Sequence, residues 1–429
     1  MGGEGGAATT ATAEEASPSV LQIVGNARYG GATAIMLAWS RYLVERGWRV
    51  DVLCTDERMR AEVADLGGVG LVEPILIPRE IDPVRDLRAL VRLVPLLRRE
   101  RYDVVHTYTA TPSFVGRLAA TVARVPVVVN HQGGWAVNET ATLAQRIAYT
   151  PLEHLGSLLC TRTICVSEAE RHQALRLRLA PSRKLVTIVN GIDDGPIRAA
   201  ARGPTRERVR RRLGCGQRTV LVGTTGRLVT GKDNASVVEA VATVAQRWPE
   251  LPVRLVLAGD GDADERERLE ELVARRGLGD RVELLGFVDD VPALLAGLDV
   301  WVTATLTEGL SMSLLEALAS GTPVVATAIP ANAEVVTHDR TALLVEVGSP
   351  HQIAEAIAEL ARDRDRAGRL GRAGAGLVAD RYSMDRMLSQ TFDLYHQLLE
   401  RASRSRRGPG SWGRRSRGTG PPPETVRSL

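Results

Sequence analysis

Lysine is nearly absent from this chain. Of 55 basic residues only Lys184 and Lys232 are lysines, and every other cation is an arginine. Cysteine is scarce as well. Cys54, Cys160, Cys165 and Cys215 form no CxxC and no zinc-ligand spacing, which excludes a disulfide-stapled scaffold and suits core thiols in a reducing compartment. No run of about eighteen uncharged apolar residues occurs, so no bilayer-spanning helix is expected. Aromatic residues make up 4% of the chain. With no aromatic-studded basic sheet and no helix-turn-helix pattern, nucleic acid is not an expected partner. The opening MGGEGGAATTATAEEASPS lacks the basic and apolar segments of a signal peptide, so residues 1–18 read as a disordered leader in a cytoplasmic protein.

What the chain does contain is enough for two domains: 429 residues, 44% of them hydrophobic and 25% charged, the balance of a soluble globular protein. The net charge of +4 is unevenly placed. Residues 401–429 hold eight arginines against Glu424 alone, which leaves the rest of the chain net acidic. This Pro-, Gly- and Ser-rich end has too little apolar surface to fold, and a solvated tail over 403–429 is expected. Contact of that tail with an anionic surface is the alternative.

Between residues 20 and 400 apolar runs alternate with amphipathic segments. VLQIV (20–24), VDVLC (50–54), DVVH (103–106), VPVVVN (125–130) and TICVS (163–167) read as buried strands separated by helices. The grammar restarts after the turn-forming NGIDDGP and a basic helix at 204–213. The second set of strands is TVLVGTTG (219–226), VRLVLAGDG (253–261), RVELLGFV (281–288), DVWVTAT (299–305) and PVVAT (323–327). The fold expected is α/β, two Rossmann-like doubly wound domains facing across a cleft. The first spans 19–195 and the second 196–385. A helix at 386–402 is expected to return to the first domain. Ligands of such sheets bind at the carboxyl edges of the strands.

Three stretches carry candidate chemistry. GNARYGGATA (25–34) follows the first strand but lacks the lysine and hydroxyl of a P-loop and the spacing of a dinucleotide fingerprint. Gly30 and Gly31 leave room for a ligand beside helix-start N–H groups, a tight turn being the plain alternative. LAGDGDADERERL (257–269) contains Asp260-Gly261-Asp262, which reads as a helix cap at Asp262 rather than a metal clamp. TEGLSMSLLEALASGTPVVAT (307–327) places Glu308 on a loop. Ser311 or Ser313 can cap the following helix, the N–H groups of Leu310 to Ser313 can face an anion, and Glu316 falls among apolar neighbours. GRLVTGKDN (226–234) places one of the two lysines five residues after Arg227. An ammonium is a mobile point charge where guanidinium is a rigid fork, so a phosphate site can retain lysine against the arginine bias.

The pair Glu308 and Glu316, preceded by Arg227 and Lys232, resembles the retaining nucleotide-sugar glycosyltransferases of the GT-B fold, family four. GRLVTGKDN, LAGDGDADERERL, LLGFVDDV and TEGLSMSLLEALASGTPVVAT match in order and spacing, and RYDVVHTY, ICVSEAE and IVNGID match in the first half. The resemblance covers about residues 20 to 400. It implies that Arg227 and Lys232 grip the donor diphosphate, helped by Gly309, Leu310 and Ser311 at the helix start. Glu316 would hold ribose hydroxyls and Glu308 the transferred sugar. Backbone at Phe287 and Val288 would meet the base, and Gly30 and Gly31 would border the phosphates. No metal and no cofactor are implied, the nucleotide sugar being a substrate. The family's Thr-x-His-Gly becomes VVVNHQGGW here, with Gly133 in the histidine's place. His131 stands two residues earlier as a substitute or as a core residue. The second histidine that the family carries after DVVH is Tyr108 here, leaving only His106 and implying an altered acceptor pocket.

The activity implied is a retaining, metal-independent hexosyl transfer from an NDP-sugar, UDP-linked in most of the family. The acceptor would be a saccharide, a lipid-linked saccharide or a small molecule, with cell-surface polysaccharide or glycolipid assembly as the setting. The alternatives are glycosylation of a natural product, a sugar-nucleotide epimerase on the same architecture, and a binding protein without catalysis. Residues 84–101 form a basic amphipathic segment interrupted by Pro95. Such a segment fits peripheral contact at the inner face of a membrane, or a solvated helix with one core face.

Overall fold

Runs of β-branched residues such as Val127-Val128-Val129 form strands that are apolar on both faces, and such strands need helices on both sides. A computed structural model of the chain describes residues 17–25, 30–77, 82–108, 110–138 and 140–407. Of the expected leader and tail, residues 1–16 and 408–429 lie outside the described residues, as do residues 26–29 of GNARYGGATA.

The first sheet contains β1 (Ser19–Gly25), β2 (Arg49–Cys54), β3 (Val69–Leu71), β4 (Val104–Tyr108), β5 (Val127–Gln132), β6 (Arg162–Cys165) and β7 (Leu185–Thr187). Their order is β3-β2-β1-β4-β5-β6-β7, all parallel. The second contains β8 (Val220–Thr225), β9 (Val253–Ala258), β10 (Val282–Gly286), β11 (Val300–Thr303), β12 (Val324–Thr327) and β13 (Leu343–Val345). Its order is β10-β9-β8-β11-β12-β13, again all parallel. Each sheet reverses its winding once, between β1 and β4 and between β8 and β11, and there the loops part to leave a crevice. Each half is thus a Rossmann-like parallel α/β domain, as expected.

Three strands were not anticipated: β3, β7 and β13. Each is three residues long, too short to stand out as an apolar run, and its pairing depends on the neighbouring strand already being in place. Pro95 does not interrupt its helix, which runs over Pro83–Glu100. Pro95 is exposed, so the carbonyl one turn back that loses its partner can meet water. Among the described residues no helix is long and apolar enough to cross a membrane.

The chain crosses back at its end. Ile192 N–H donates to Tyr382 O (2.9 Å) and Met384 N–H to Ile192 O (3.1 Å), after which the helix Met384–Arg407 lies on the first sheet. It extends past residue 402, where the tail was expected to begin, with Arg404 paired to Glu400 one turn back. Met387, Leu388, Tyr395 and Leu398 join the core formed by Val20, Trp39 and Val127. Tyr395 is fully buried. Its hydroxyl meets His106 Nδ1 at 2.6 Å and accepts from Trp39 Nε1 at 3.2 Å. Removing that hydroxyl leaves two buried polar groups without it, at a cost of about 1–3 kcal/mol. Tyr395→Phe is therefore expected to lower the urea midpoint measurably, and an unchanged midpoint would contradict this role for the hydroxyl.

Candidate functional site

The turn after β8 carries Arg227 and Lys232, and its shape is set by the turn after β9. Gly226 N–H donates to Ala258 O (2.9 Å), Leu228 N–H to Asp260 O (3.0 Å), and Asp262 N–H to Leu228 O (3.1 Å). A Cβ on Gly261 would stand 1.9 Å from Leu228 O, so the backbones touch and only glycine fits. The AGDGD run is thus a buttress for the Arg227 turn. Asp262 takes the N-cap position of the helix Ala263–Arg275 but makes no side-chain cap bond, unlike the expectation.

Lys232 ends a short 3-10 turn, Thr230–Lys232. Gly231 O accepts from Leu306 N–H (2.9 Å) and from Thr305 Oγ1 (3.1 Å), which fastens this turn to the loop after β11. That loop holds Glu308, and the Lys232 ammonium forms an ion pair with the Glu308 carboxylate. Both side chains are about four-fifths buried, with 22% and 19% of their surface exposed. Arg227 is exposed on the same turn.

The helix Met312–Ala319 follows. Ser311, rather than Ser313, caps it: Ser311 Oγ accepts from Leu314 N–H at 3.3 Å. The N–H groups of Met312 and Ser313 precede the first intrahelical bond and have no acceptor among the described residues, so this end attracts anions. Glu316 is half-buried one turn further on, and burial pushes its carboxyl up to about 7.

The first domain closes over these loops. Ser167 Oγ donates to Gly309 O (2.6 Å). A Cβ on Gly309 would stand 2.8 Å from Glu170 Oε1 and 3.1 Å from Gly134 N, so glycine permits the contact between domains. Gly31 faces Met312 so closely that its own Cβ would come within 2.9 Å of Met312 Cγ. Gly30 O accepts from Thr33 and Ala34 N–H as the helix Gly31–Val44 opens. Phe287 is partly exposed, with the Arg58 guanidinium 4.3 Å from its ring centre and bonded to Asp289 at 3.0 Å. Val288 packs on the second domain's core. A cavity of about 700 Å³ lies between the two domains, bounded by Thr307, Glu308, His172, Arg176 and Glu334.

Lys232, Glu308, Gly309, Leu310, Ser311 and Gly31 therefore converge at one seam. His106 and His131 do not open onto it, being only 1% and 7% exposed. They lie on the sheet face beneath the returning helix, with His106 stacked on Tyr108 at 4.5 Å and Tyr108 on His131 at 5.4 Å. Burial holds both rings neutral and takes His131 down to about 4. In this conformation both rings lie in the core of the first domain rather than at the seam.

Ser167, Glu170 and Glu334 were missed. Glu170 is buried and accepts from Gly134 N–H (2.6 Å) and Val166 N–H (2.8 Å), while burial pushes its carboxyl up to about 8. Glu334 reaches across from the second domain to accept from Glu168 N–H (2.9 Å) and Ala169 N–H (2.6 Å). The Ser167-x-x-Glu170 spacing is a helix-start signal that was available in the sequence. Nothing local marks Glu334.

Comparison with known proteins agrees with this arrangement. The family described as Glycosyl transferases group 1 matches residues 219–363, and Glycosyltransferase Family 4 matches residues 29–195. The UDP-Gal:alpha-D-GlcNAc-diphosphoundecaprenol alpha-1,3-galactosyltransferase of Escherichia coli is 25% identical over 335 residues, covering 78% of this chain and 85% of that protein. The 2-deoxystreptamine glucosyltransferase of Streptomyces kanamyceticus is 26% identical over 320 residues, 72% of this chain and 81% of that one. In fold, the chain is similar to Anabaena Alr3699/HepE solved with UDP and glucose. The TM-score is 0.77 at 20% identity, over 89% of this chain and 100% of the other.

Glu316 generates a pH test. Its folded carboxyl titrates near 7 against an ordinary 4.5, so between those values the folded chain keeps a proton that the unfolded chain has lost. Stability is therefore lost as pH rises through this window. Glu316→Gln is expected to raise the melting temperature at pH 8 and to leave it nearly unchanged at pH 4. Equal shifts at both pH values would contradict the assignment.

Proposed function

The chain is a glycosyltransferase of family four with the GT-B fold, and from that premise we propose that it moves a sugar from a UDP-linked donor to an acceptor hydroxyl with retention of configuration, in cell-surface polysaccharide or glycolipid assembly. The observation that carries the reading is the meeting of Lys232, Glu308 and the open N-terminal turn of Met312–Ala319 at the seam between the domains.

Without donor, Lys232 and Glu308 neutralise each other. When the donor enters, its diphosphate takes the Lys232 ammonium, with the Arg227 fork and the N–H groups of Met312 and Ser313 beside it. Glu308, released from lysine, accepts hydroxyls of the transferred sugar. Glu316, ionised, accepts the ribose hydroxyls, and backbone at Phe287 and Val288 meets the base. Gly31 borders the phosphates from across the cleft. The bond from the anomeric carbon to the phosphate oxygen breaks as the acceptor oxygen bonds to the same face of that carbon. The acceptor's proton passes to the departing phosphate oxygen. Fixed positive groups stabilise the charge that develops there, which is the work a divalent ion does in metal-dependent transferases. Domain closure through Ser167 and Gly309 keeps water from the reacting carbon.

The acceptor approaches through the cavity beside Glu308. A lipid-linked saccharide is supported by the name of the E. coli relative, whose acceptor carries diphosphoundecaprenol. The S. kanamyceticus relative supports a small-molecule acceptor as the second reading. A panel of labelled nucleotide sugars, each offered with both acceptor classes, separates them.

Lys232→Ala and Glu308→Ala are each expected to lower transfer by about a hundredfold or more while melting curves stay cooperative. Lys232→Arg is expected to restore little, because the planar fork cannot occupy the place of a compact ammonium. Turnover at the unaltered rate in any of the three would contradict the mechanism.

A further inference from the structure

The helix Leu143–Leu158 is packed with its polarity reversed. Arg146, Thr150, Glu153 and Ser157 recur at helical spacing and form the side turned toward the first domain, where none of them is exposed. Arg146 Nε donates to Ala141 O (3.1 Å), and Glu153 accepts from Ala136 N–H (3.1 Å). Ser157 is fully buried, its Oγ donating to His154 O (2.7 Å). Ala144, Ile147, Pro151, Leu155 and Leu158 form the opposite side. All five are exposed, Ile147 by 68%. No charged residue stands in this outer row. His154 lies at its margin, tied to Arg178 O at 3.0 Å.

A surface helix ordinarily turns its apolar stripe to the core and its charges to water. The reverse arrangement leaves a contiguous apolar face on the outside, which marks an interaction site. We propose that this face pairs with the same face of a second copy of the chain, in an antiparallel two-fold contact between the two helices. The row is self-complementary about Pro151: Ile147 and Leu155 stand four residues to either side of it, Ala144 and Leu158 seven. Antiparallel pairing therefore sets Ile147 against Leu155 of the second copy, and the small Ala144 against its Leu158. A closed two-fold contact needs that kind of match, the same patch serving both partners.

Charge and area favour the same occupant. A helix that lies on a bilayer borders its apolar face with Lys or Arg, and this row offers a lipid phosphate nothing. Two copies, by contrast, bring no like charges together. With Leu143 and Leu152 beside it, the row exposes roughly 600 Å² per copy, so pairing covers roughly 1,200 Å² in all, at the lower edge of specific interfaces. A contact of that size suits a reversible dimer. The helix follows β5 and therefore starts at the carboxyl edge of the first sheet, the edge that meets the second domain. Antiparallel pairing points the two clefts in opposite directions and leaves both open.

Sedimentation equilibrium of the full chain tests this. A reversible dimer with a micromolar dissociation constant is expected. Ile147→Glu with Leu155→Glu is expected to weaken it by about a hundredfold or more, because carboxylates would then meet across the two-fold axis. Melting curves of that variant are expected to stay cooperative, since both side chains are exposed. Pro151→Cys is expected to give a disulfide-linked dimer on mild oxidation, as this position meets its own copy. Glu267→Cys, exposed on the helix Ala263–Arg275 of the second domain, is not. A chain that stays monomeric across the micromolar range overturns the proposal. So does a dimer that survives the double glutamate change, or one that cross-links through Glu267→Cys alone. Flotation with phosphatidylglycerol vesicles that the glutamates abolish, with no dimer in solution, gives the face to a bilayer and overturns it too. Sugar transfer enters none of these results, so this proposal and the transferase reading fail independently.

Discussion

Two loops from different strands of the second sheet are held together by one ion pair, Lys232 with Glu308, and the chemistry proposed for this protein depends on it. A lone charge in a largely buried position is costly, because removal from water is not repaid. Pairing lets the ammonium wait in the site before any phosphate arrives. It also keeps the carboxylate where a sugar hydroxyl would later lie. The backbone supports this independently: Gly231 O is bonded from Leu306 and Thr305, so the two loops stay adjacent when the side chains change partners.

The second constraint is the seam between the domains. Ser167 bonds the carbonyl of Gly309, the residue directly after Glu308. Glu334 caps the helix Glu168–Arg176 from the opposite domain. Closure and site assembly are therefore coupled through a few atoms. A relative movement of the domains would break the Ser167 bond and loosen the loop of Glu308, while the Met384–Arg407 helix keeps the halves tethered.

Much of the fold was legible because most of the longer strands are short apolar runs rich in β-branched residues, and such runs differ from the helices between them. The three-residue strands were not legible, since their pairing is inherited from neighbours. The charged loop residues were legible too. Lys232 stood out against the arginine bias, and Glu308 was flanked by glycine and a capping serine. The burial of the histidines depends on strand parity and on a distant helix. His106 shares a sheet face with Val104, and that face is closed by Tyr395 from the far end of the chain. Ser167 and Glu334 owe their roles to contacts between domains, which no local pattern records.

The most direct test of the central claim is a crystal structure of the protein with UDP bound. The account predicts the diphosphate within hydrogen-bonding distance of Lys232 Nζ and of the N–H groups of Met312 and Ser313, with the lysine shared with or drawn off Glu308. A diphosphate bound away from the seam, with the Lys232–Glu308 pair untouched, would contradict it.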